Sequence, residues 1–194
     1  MGYGPRAALV VVDVQNDFAD PLGSLYVPGG EQVVGPVNAE ISVALQAGAV
    51  VVYTQDWHPP STPHFKKDGG IWPVHCVRGS WGAELAEGLA VAGPVVRKGT
   101  SGEDGYSGFY VRAPTADEVR PTKLDELLRA RAVSLVAVAG LATDYCVKHT
   151  ALDALALGYK VVVLANMMRA VDLRPGDGTA ALEALAAAGA EVEL

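Results

Sequence analysis

Six short apolar runs recur along this 194-residue chain, and between them lie either polar loops or segments whose apolar residues return every three or four positions. The runs are 7–14, 49–55, 95–97, 133–138, 160–164 and 190–194. Those at 7–14, 49–55 and 133–138 are continuous enough to predict strands buried on both faces. Helical spacing predicts a helix over 31–48, with Val34, Val37, Ile41 and Leu45 as its inner stripe. Shorter helices are expected at 83–88 and 177–188, and one at 122–131 with Thr122 as its cap. Another starts at Thr143 or Asp144, turns Val147, Ala151, Leu152 and Leu155 inward and stops at Gly158. Strands alternating with helices predict one α/β domain over 1–194, a doubly wound sandwich with a parallel sheet, right-handed crossovers and helices on both faces. The stretches 15–30, 56–79 and 100–121 are left as loops, and loops of that length in a compact domain usually carry function.

Composition narrows the classes. Half the residues are apolar and 19% are charged, which is globular usage. The net charge is −7 with no basic cluster, so neither nucleic acid nor a membrane surface is an expected partner. No run approaches the roughly 20 apolar residues of a membrane span. The first run ends at Asp13, too early for a signal-peptide core. Two cysteines, Cys76 and Cys146, are too few for a disulfide framework, and a reduced, cytoplasmic setting is the expectation.

In an open parallel sheet, ligands bind outside the C-terminal ends of the strands. Three strands end there in reactive side chains: Asp13, Lys98 and Cys146. Cys146 falls in the first turn of its helix, where unpaired N–H groups and the helix dipole favour a thiolate, so a depressed thiol pKa is expected. Asp13 is then the base for the thiol, and Lys98 stabilises both charges. The plainer alternatives are a buried structural cysteine and a strand-end ion pair. His149, three residues after Cys146, is a rival base, placed behind Asp13 because it would lie beneath the thiol.

A second group is Asp56 and His58, which point the same way in an extended segment, with His75 to close the set. Two imidazoles and a carboxylate suit Zn²⁺ or Fe²⁺, with Mn²⁺ as an alternative, unless these are simply solvated loop residues. His64 is a further candidate, left outside the set, and Cys76 is expected to pack inward. Loop aromatics at Phe18, Trp57, Trp72, Tyr106 and Phe109 either wall a pocket for a flat ring or anchor their loops.

The pieces VVVDVQNDF (10–18), TQDWHP (54–59), WPVHCV (72–77), KG (98–99), YSGF (106–109) and GLATDYCVKHTALDALALGYKV (140–161) together resemble the nicotinamidase branch of the isochorismatase-like cysteine hydrolases. The resemblance implies a six-stranded parallel sheet and a catalytic triad of Asp13, Lys98 and Cys146. It implies one divalent metal ion, zinc ahead of iron or manganese, on Asp56, His58 and His75. It implies a cis peptide at Leu141–Ala142, an oxyanion hole from the backbone N–H groups of Ala142 and Cys146, and substrate walls from Phe18, Trp72 and Tyr106. The implied activity is hydrolysis of nicotinamide, a small-molecule amide, to nicotinate and ammonia through a thioester, in NAD salvage. Whether the chain forms a homo-oligomer is left open. The rivals are a hydrolase of another small amide, such as an N-carbamoyl compound, and a non-catalytic metal-binding domain on the same fold.

Overall fold

In chain order the elements are β1 (Ala7–Val12), α1 (Asn16–Ala19), α2 (Val34–Gln46), β2 (Val50–Asp56), β3 (Val95–Lys98), β4 (Tyr110–Arg112), β5 (Val119–Pro121), α3 (Leu124–Ala130), β6 (Leu135–Leu141), α4 (Lys148–Ala156), β7 (Lys160–Arg169), α5 (Asp177–Ala187) and β8 (Glu191–Glu193). They come from a computed structural model that describes residues 2–113 and 118–194. Six strands form one sheet in the order β3-β2-β1-β6-β7-β8, and every neighbouring pair is parallel. The chain winds outward from β1 to β3, then returns to the other side of β1 as β6 and winds outward to β8. The reversal falls between β1 and β6, so the crevice beyond their C-terminal ends is where this topology places a ligand.

All six residues of β1 are buried, and their alternation divides the core in two. Leu9 and Val11 join Val37, Ile41 and Ala44 of α2 on one face. Ala8, Val10 and Val12 join Leu124 and Leu128 of α3, Ala151 and Ala154 of α4, and Leu185 of α5 on the other. The expected helices on both faces are therefore present. Among the described residues no helix is long and apolar enough to cross a membrane.

Four local expectations are corrected. The 83–88 segment is not helical: a single 3₁₀ turn spans Trp81–Ala83, and Leu85 bridges to Gln15 in antiparallel fashion, so its backbone pairs outward instead of coiling. Loop 15–30 contains the one-turn helix α1. Loop 100–121 contains the antiparallel ribbon β4–β5, while residues 114–117 lie outside the described residues. The helix bearing Cys146 opens with a π turn, Thr143–Val147, before α4 begins.

Close packing at the switch point makes one glycine indispensable. Gly140 sits opposite Val12 with φ +116°, and a Cβ there would lie 2.1 Å from the Val12 carbonyl oxygen. A side chain is disfavoured by the backbone conformation and excluded by the neighbouring strand. Gly140→Ala is expected to cost at least the roughly 1–3 kcal/mol of a strained backbone, with the contact adding to it. At about 2–4 °C per kcal/mol for a chain of this size, thermal unfolding should move down by several degrees.

Candidate active site

Three separate strands deliver the first group of side chains. Asp13 follows β1, Lys98 ends β3, and Cys146 lies in the π turn after β6. Lys98 Nζ is 2.9 Å from Asp13 Oδ2 and 3.7 Å from Cys146 Sγ, and it also contacts Asp56 Oδ1 at the end of β2. Asp13, Lys98 and Cys146 are all buried. The Thr54 hydroxyl donates to Asp13 Oδ1 at 2.6 Å and accepts from the Asp13 N–H at 3.2 Å. Asp13 has φ +47°, a conformation uncommon for a residue with a side chain and concentrated at functional sites. The Leu141–Ala142 peptide bond is cis, as the resemblance implies.

Two carboxylates share one ammonium here, and their pKa values are driven apart. Burial pushes Asp13 up and the neighbouring Asp56 adds to it, while Lys98, Thr54 and Cys146 oppose without cancelling. Burial acts on Asp56 in the same direction, but Lys98 and His58 reverse it and hold Asp56 well below the usual carboxylate range. Burial works against the Lys98 ammonium, yet Asp13 and Asp56 outweigh it and keep the lysine firmly charged. A raised carboxyl beside a lowered one is the arrangement in which the first can trade protons and the second cannot.

The thiol departs from expectation. Burial pushes the Cys146 pKa well above the ordinary cysteine value, Asp13 and Asp56 add to it, and Lys98 opposes. The dipole argument for a depressed thiol pKa is overturned, because a sulfur enclosed between carboxylates loses more from dehydration than a helix terminus returns. Burial thus favours the thiol over the thiolate at rest, with the Lys98 ammonium 3.7 Å from Sγ.

Two polar side chains that the pattern does not single out fix the backbone around this group. The Gln15 carboxamide accepts from the Asp56 N–H and donates to the Asp56 carbonyl, both at 2.8 Å, and donates to the Ala83 carbonyl as well. The Asp17 carboxylate accepts from the Cys76 N–H at 2.7 Å and the Ser24 N–H at 2.9 Å, joining α1 to the segment that bears His75. Both lie in the VVVDVQNDF stretch, where a buried amide and carboxylate just past a strand are the only signal of such a role.

Loop 56–79 folds back so that His58 pairs with Val77. His58 N–H donates to Cys76 O at 2.9 Å, and Arg78 N–H donates to His58 O at 2.8 Å. This pairing brings His75 to His58, and His64 joins them: one ring nitrogen from each of the three lies within 4.8 Å of the others. The structure thus adds His64, which spacing leaves out. Asp56 Oδ2 is 3.7 Å from His58 Nε2. Gly99, with φ +73°, approaches so closely that a Cβ would lie 2.6 Å from His58 Nδ1, which accounts for the glycine after Lys98. Cys76 is buried, with Sγ 3.8 Å from the Gly82 carbonyl oxygen and outside the imidazole cluster, as expected.

The chemistry of these rings fits a metal ion. His75 Nδ1 must donate to the Pro73 carbonyl at 2.8 Å, and His64 Nδ1 to Asp104 Oδ1 at 2.6 Å, since neither oxygen has a proton to give. In its neutral form each ring then keeps a lone pair on Nε2. Both ring nitrogens of His58 are buried without a hydrogen-bond partner. Burial depresses the His75 pKa to about 4, so the ring is neutral and its lone pair available near pH 7. Neutral imidazoles whose other nitrogen is tied to a carbonyl or carboxylate are typical of metal sites.

Between the sulfur and the imidazoles opens a small cleft lined by Phe18, Trp72, Tyr106 and Tyr145 together with Asp56, His64, His75, Ala142 and Cys146. Phe18, Trp72 and Tyr106, the three aromatics expected as walls, all line this cleft, and Tyr145, next to Cys146 in sequence, lines it too. Tyr145 meets Trp72 and Tyr106 edge-on at 5.0 and 5.1 Å, and the Trp72 indole N–H donates to the Tyr106 hydroxyl at 3.0 Å. The other two loop aromatics serve elsewhere: Trp57 lies under the Arg97 guanidinium, and Phe109 packs with Tyr159. His149 faces a separate hollow behind Tyr106, with Asp104 and Asp153, and is no rival base for Cys146.

A model of the isochorismatase domain family matches residues 7–193. The chain belongs to the isochorismatase domain family. It is 39% identical over 205 aligned residues to the nicotinamidase of Escherichia coli (strain K12), covering 96% of this chain and 93% of that protein. Two solved members of the same fold superpose closely. The pyrazinamidase of Pyrococcus horikoshii in complex with zinc gives a TM-score of 0.87 at 37% identity, covering 97% of this chain and 99% of that one. PnC1 from L. infantum in complex with nicotinate gives 0.90 at 38%, covering 100% and 95%. The parallel six-stranded sheet of this isochorismatase-family chain is thus the family fold.

Proposed function

We propose that this isochorismatase-family chain is an amidohydrolase that converts nicotinamide to nicotinate and ammonia, with Cys146 as its nucleophile. The observation that carries this reading is the meeting of a sulfur, a carboxylate and an ammonium from three strands at the base of an aromatic cleft. The nicotinamidase relatives and the nicotinate-bound homologue support the choice of substrate.

Cys146 Sγ attacks the carboxamide carbon while its proton passes to Asp13. The oxyanion receives hydrogen bonds from the backbone N–H groups of Ala142 and Cys146, each worth about 3–4 kcal/mol in comparable sites. Asp13 returns the proton to the nitrogen as the C–N bond breaks, releasing ammonia and leaving a thioester. Asp13 then deprotonates a water that attacks the thioester, and the departing sulfur takes the proton back. Lys98 stays charged throughout, balancing Asp56 at all times and Asp13 whenever it is ionised. Phe18, Trp72, Tyr106 and Tyr145 hold the flat ring and exclude water.

The residues fit a divalent ion held by His58, His64 and His75 with Asp56 beside them, and such an ion would supply a Lewis-acid anchor for the ring nitrogen. His58→Ala is expected to lose bound zinc by more than the roughly 10–100-fold typical of removing an outer partner, whereas His149→Ala keeps it. Metal analysis of the purified, dialysed variants reads this directly.

The decisive experiment measures ammonia and nicotinate release from nicotinamide by the wild type, with Cys146→Ala as the control. A panel of N-carbamoyl compounds in the same assay tests the rival substrate class. An acyclic substrate would leave the four aromatic rings without a flat partner, which favours the pyridine amide. No ammonia release from nicotinamide by the metal-loaded wild type would sink the assignment.

A further inference from the structure

Asp104 lies outside the cleft, yet it holds one of the cluster's rings. Its Oδ1 accepts the His64 Nδ1 proton at 2.6 Å and the Gly105 N–H at 2.8 Å. Its backbone is clamped to the β4 strand: the N–H donates to the Arg112 carbonyl at 2.9 Å, and the carbonyl accepts the Arg112 N–H at 2.6 Å. The carboxylate is about half exposed, whereas the His64 side chain it holds is only 6% exposed. Asp104 lines the outer hollow behind Tyr106 and not the cleft that contains Cys146. Its side chain therefore reaches the imidazole cluster through His64.

A neutral imidazole has two tautomers, and only one leaves Nε2 with a lone pair. A carboxylate accepts and cannot donate, so Asp104 selects the Nδ1–H form and fixes the plane of the ring. We infer that Asp104 is a positioning residue that sets His64 as the third imidazole donor to a divalent cation shared with His58 and His75. The inference rests on the metal-holding part of the proposed function and extends it to a residue on a different loop. It also explains why an acidic side chain is anchored to the β4–β5 ribbon: the ribbon gives the carboxylate a fixed base from which to hold a ring on loop 56–79.

The test strips the full-length protein of metal with a chelator and titrates zinc against a chromophoric competitor. Asp104→Ala is expected to weaken zinc binding by about 10–100-fold. Asp104→Asn should weaken it by less, because the amide oxygen still accepts from Nδ1–H. In a His64→Ala background, Asp104→Ala should change zinc affinity little, since its route to the metal is gone. Wild-type affinity in Asp104→Ala, or an equal loss in both backgrounds, overturns the inference. If the alanine variant fails to fold, Asp104→Leu, which keeps the volume and removes the acceptor, takes its place, and wild-type affinity there overturns the inference. A wild type that takes up no zinc overturns the metal reading and this inference together. A wild type that binds zinc beside an unaffected Asp104→Ala overturns only the inference.

Discussion

Cys146→Ala is expected to lower ammonia release from nicotinamide by about a million-fold, the scale reached when a covalent nucleophile is removed from a hydrolase. The size follows from the site as built. Among the described residues, the only hydroxyl hydrogen-bonded to this group is that of Thr54, which is committed to Asp13. Loss of the sulfur removes a small buried atom and leaves the Asp13–Lys98–Asp56 group in place, so the variant should fold and still load metal. Steady-state kinetics with a coupled ammonia assay read the rate, and mass spectrometry of the wild type quenched during turnover reads the acylated cysteine. Activity within about tenfold of wild type would end the nucleophile assignment.

Lys98→Met should both inactivate and destabilise the protein. The ammonium is the counter-charge for two buried carboxylates, Asp13 at 2.9 Å and Asp56 in close contact. Removing it leaves an uncompensated buried charge, which typically costs about 3–5 kcal/mol. Methionine nearly preserves the volume, so the loss reports charge and not packing. Urea unfolding should show a lower midpoint with an unchanged slope. Adding Asp56→Asn to Lys98→Met should recover part of the loss, because one orphaned charge is then gone. An unchanged midpoint in the single variant would contradict the electrostatic account of the site.

The parts of this arrangement visible in the sequence are those dictated by parallel-strand topology. Asp13, Lys98 and Cys146 each stand where a buried run stops, and a parallel sheet carries all such positions to one edge. Asp56 and His58 share a side because an extended segment alternates. The helix lining one face of the sheet is legible because Val37 and Ile41 keep its period, although Ala44 completes the buried stripe and the expected Leu45 is 43% exposed. His64 is not legible, because its approach to His58 and His75 depends on how a long loop folds back and on a carboxylate 40 residues further along. The β4–β5 ribbon is three residues on each side, too short for alternation to register. The thiol pKa runs opposite to the local expectation because a helix terminus is a local feature, whereas the burial and flanking carboxylates that outweigh it are assembled by the fold. Tyr145 does not stand out among the loop aromatics because it sits in the π turn beside Cys146.

β1 stops at Val12 while β2 runs on to Asp56, so the last residue of β2 has no strand beside it on that flank. The Gln15 carboxamide supplies both missing partners, acting as a one-residue substitute for the absent ladder. The Asp56 main chain is consequently tied on both flanks, by Gln15 on one and by β3 on the other. In the proposed reaction, proton transfer and ion binding at this rim would fall to side-chain torsions, with the backbone spacing between Asp56 and Lys98 set by the sheet.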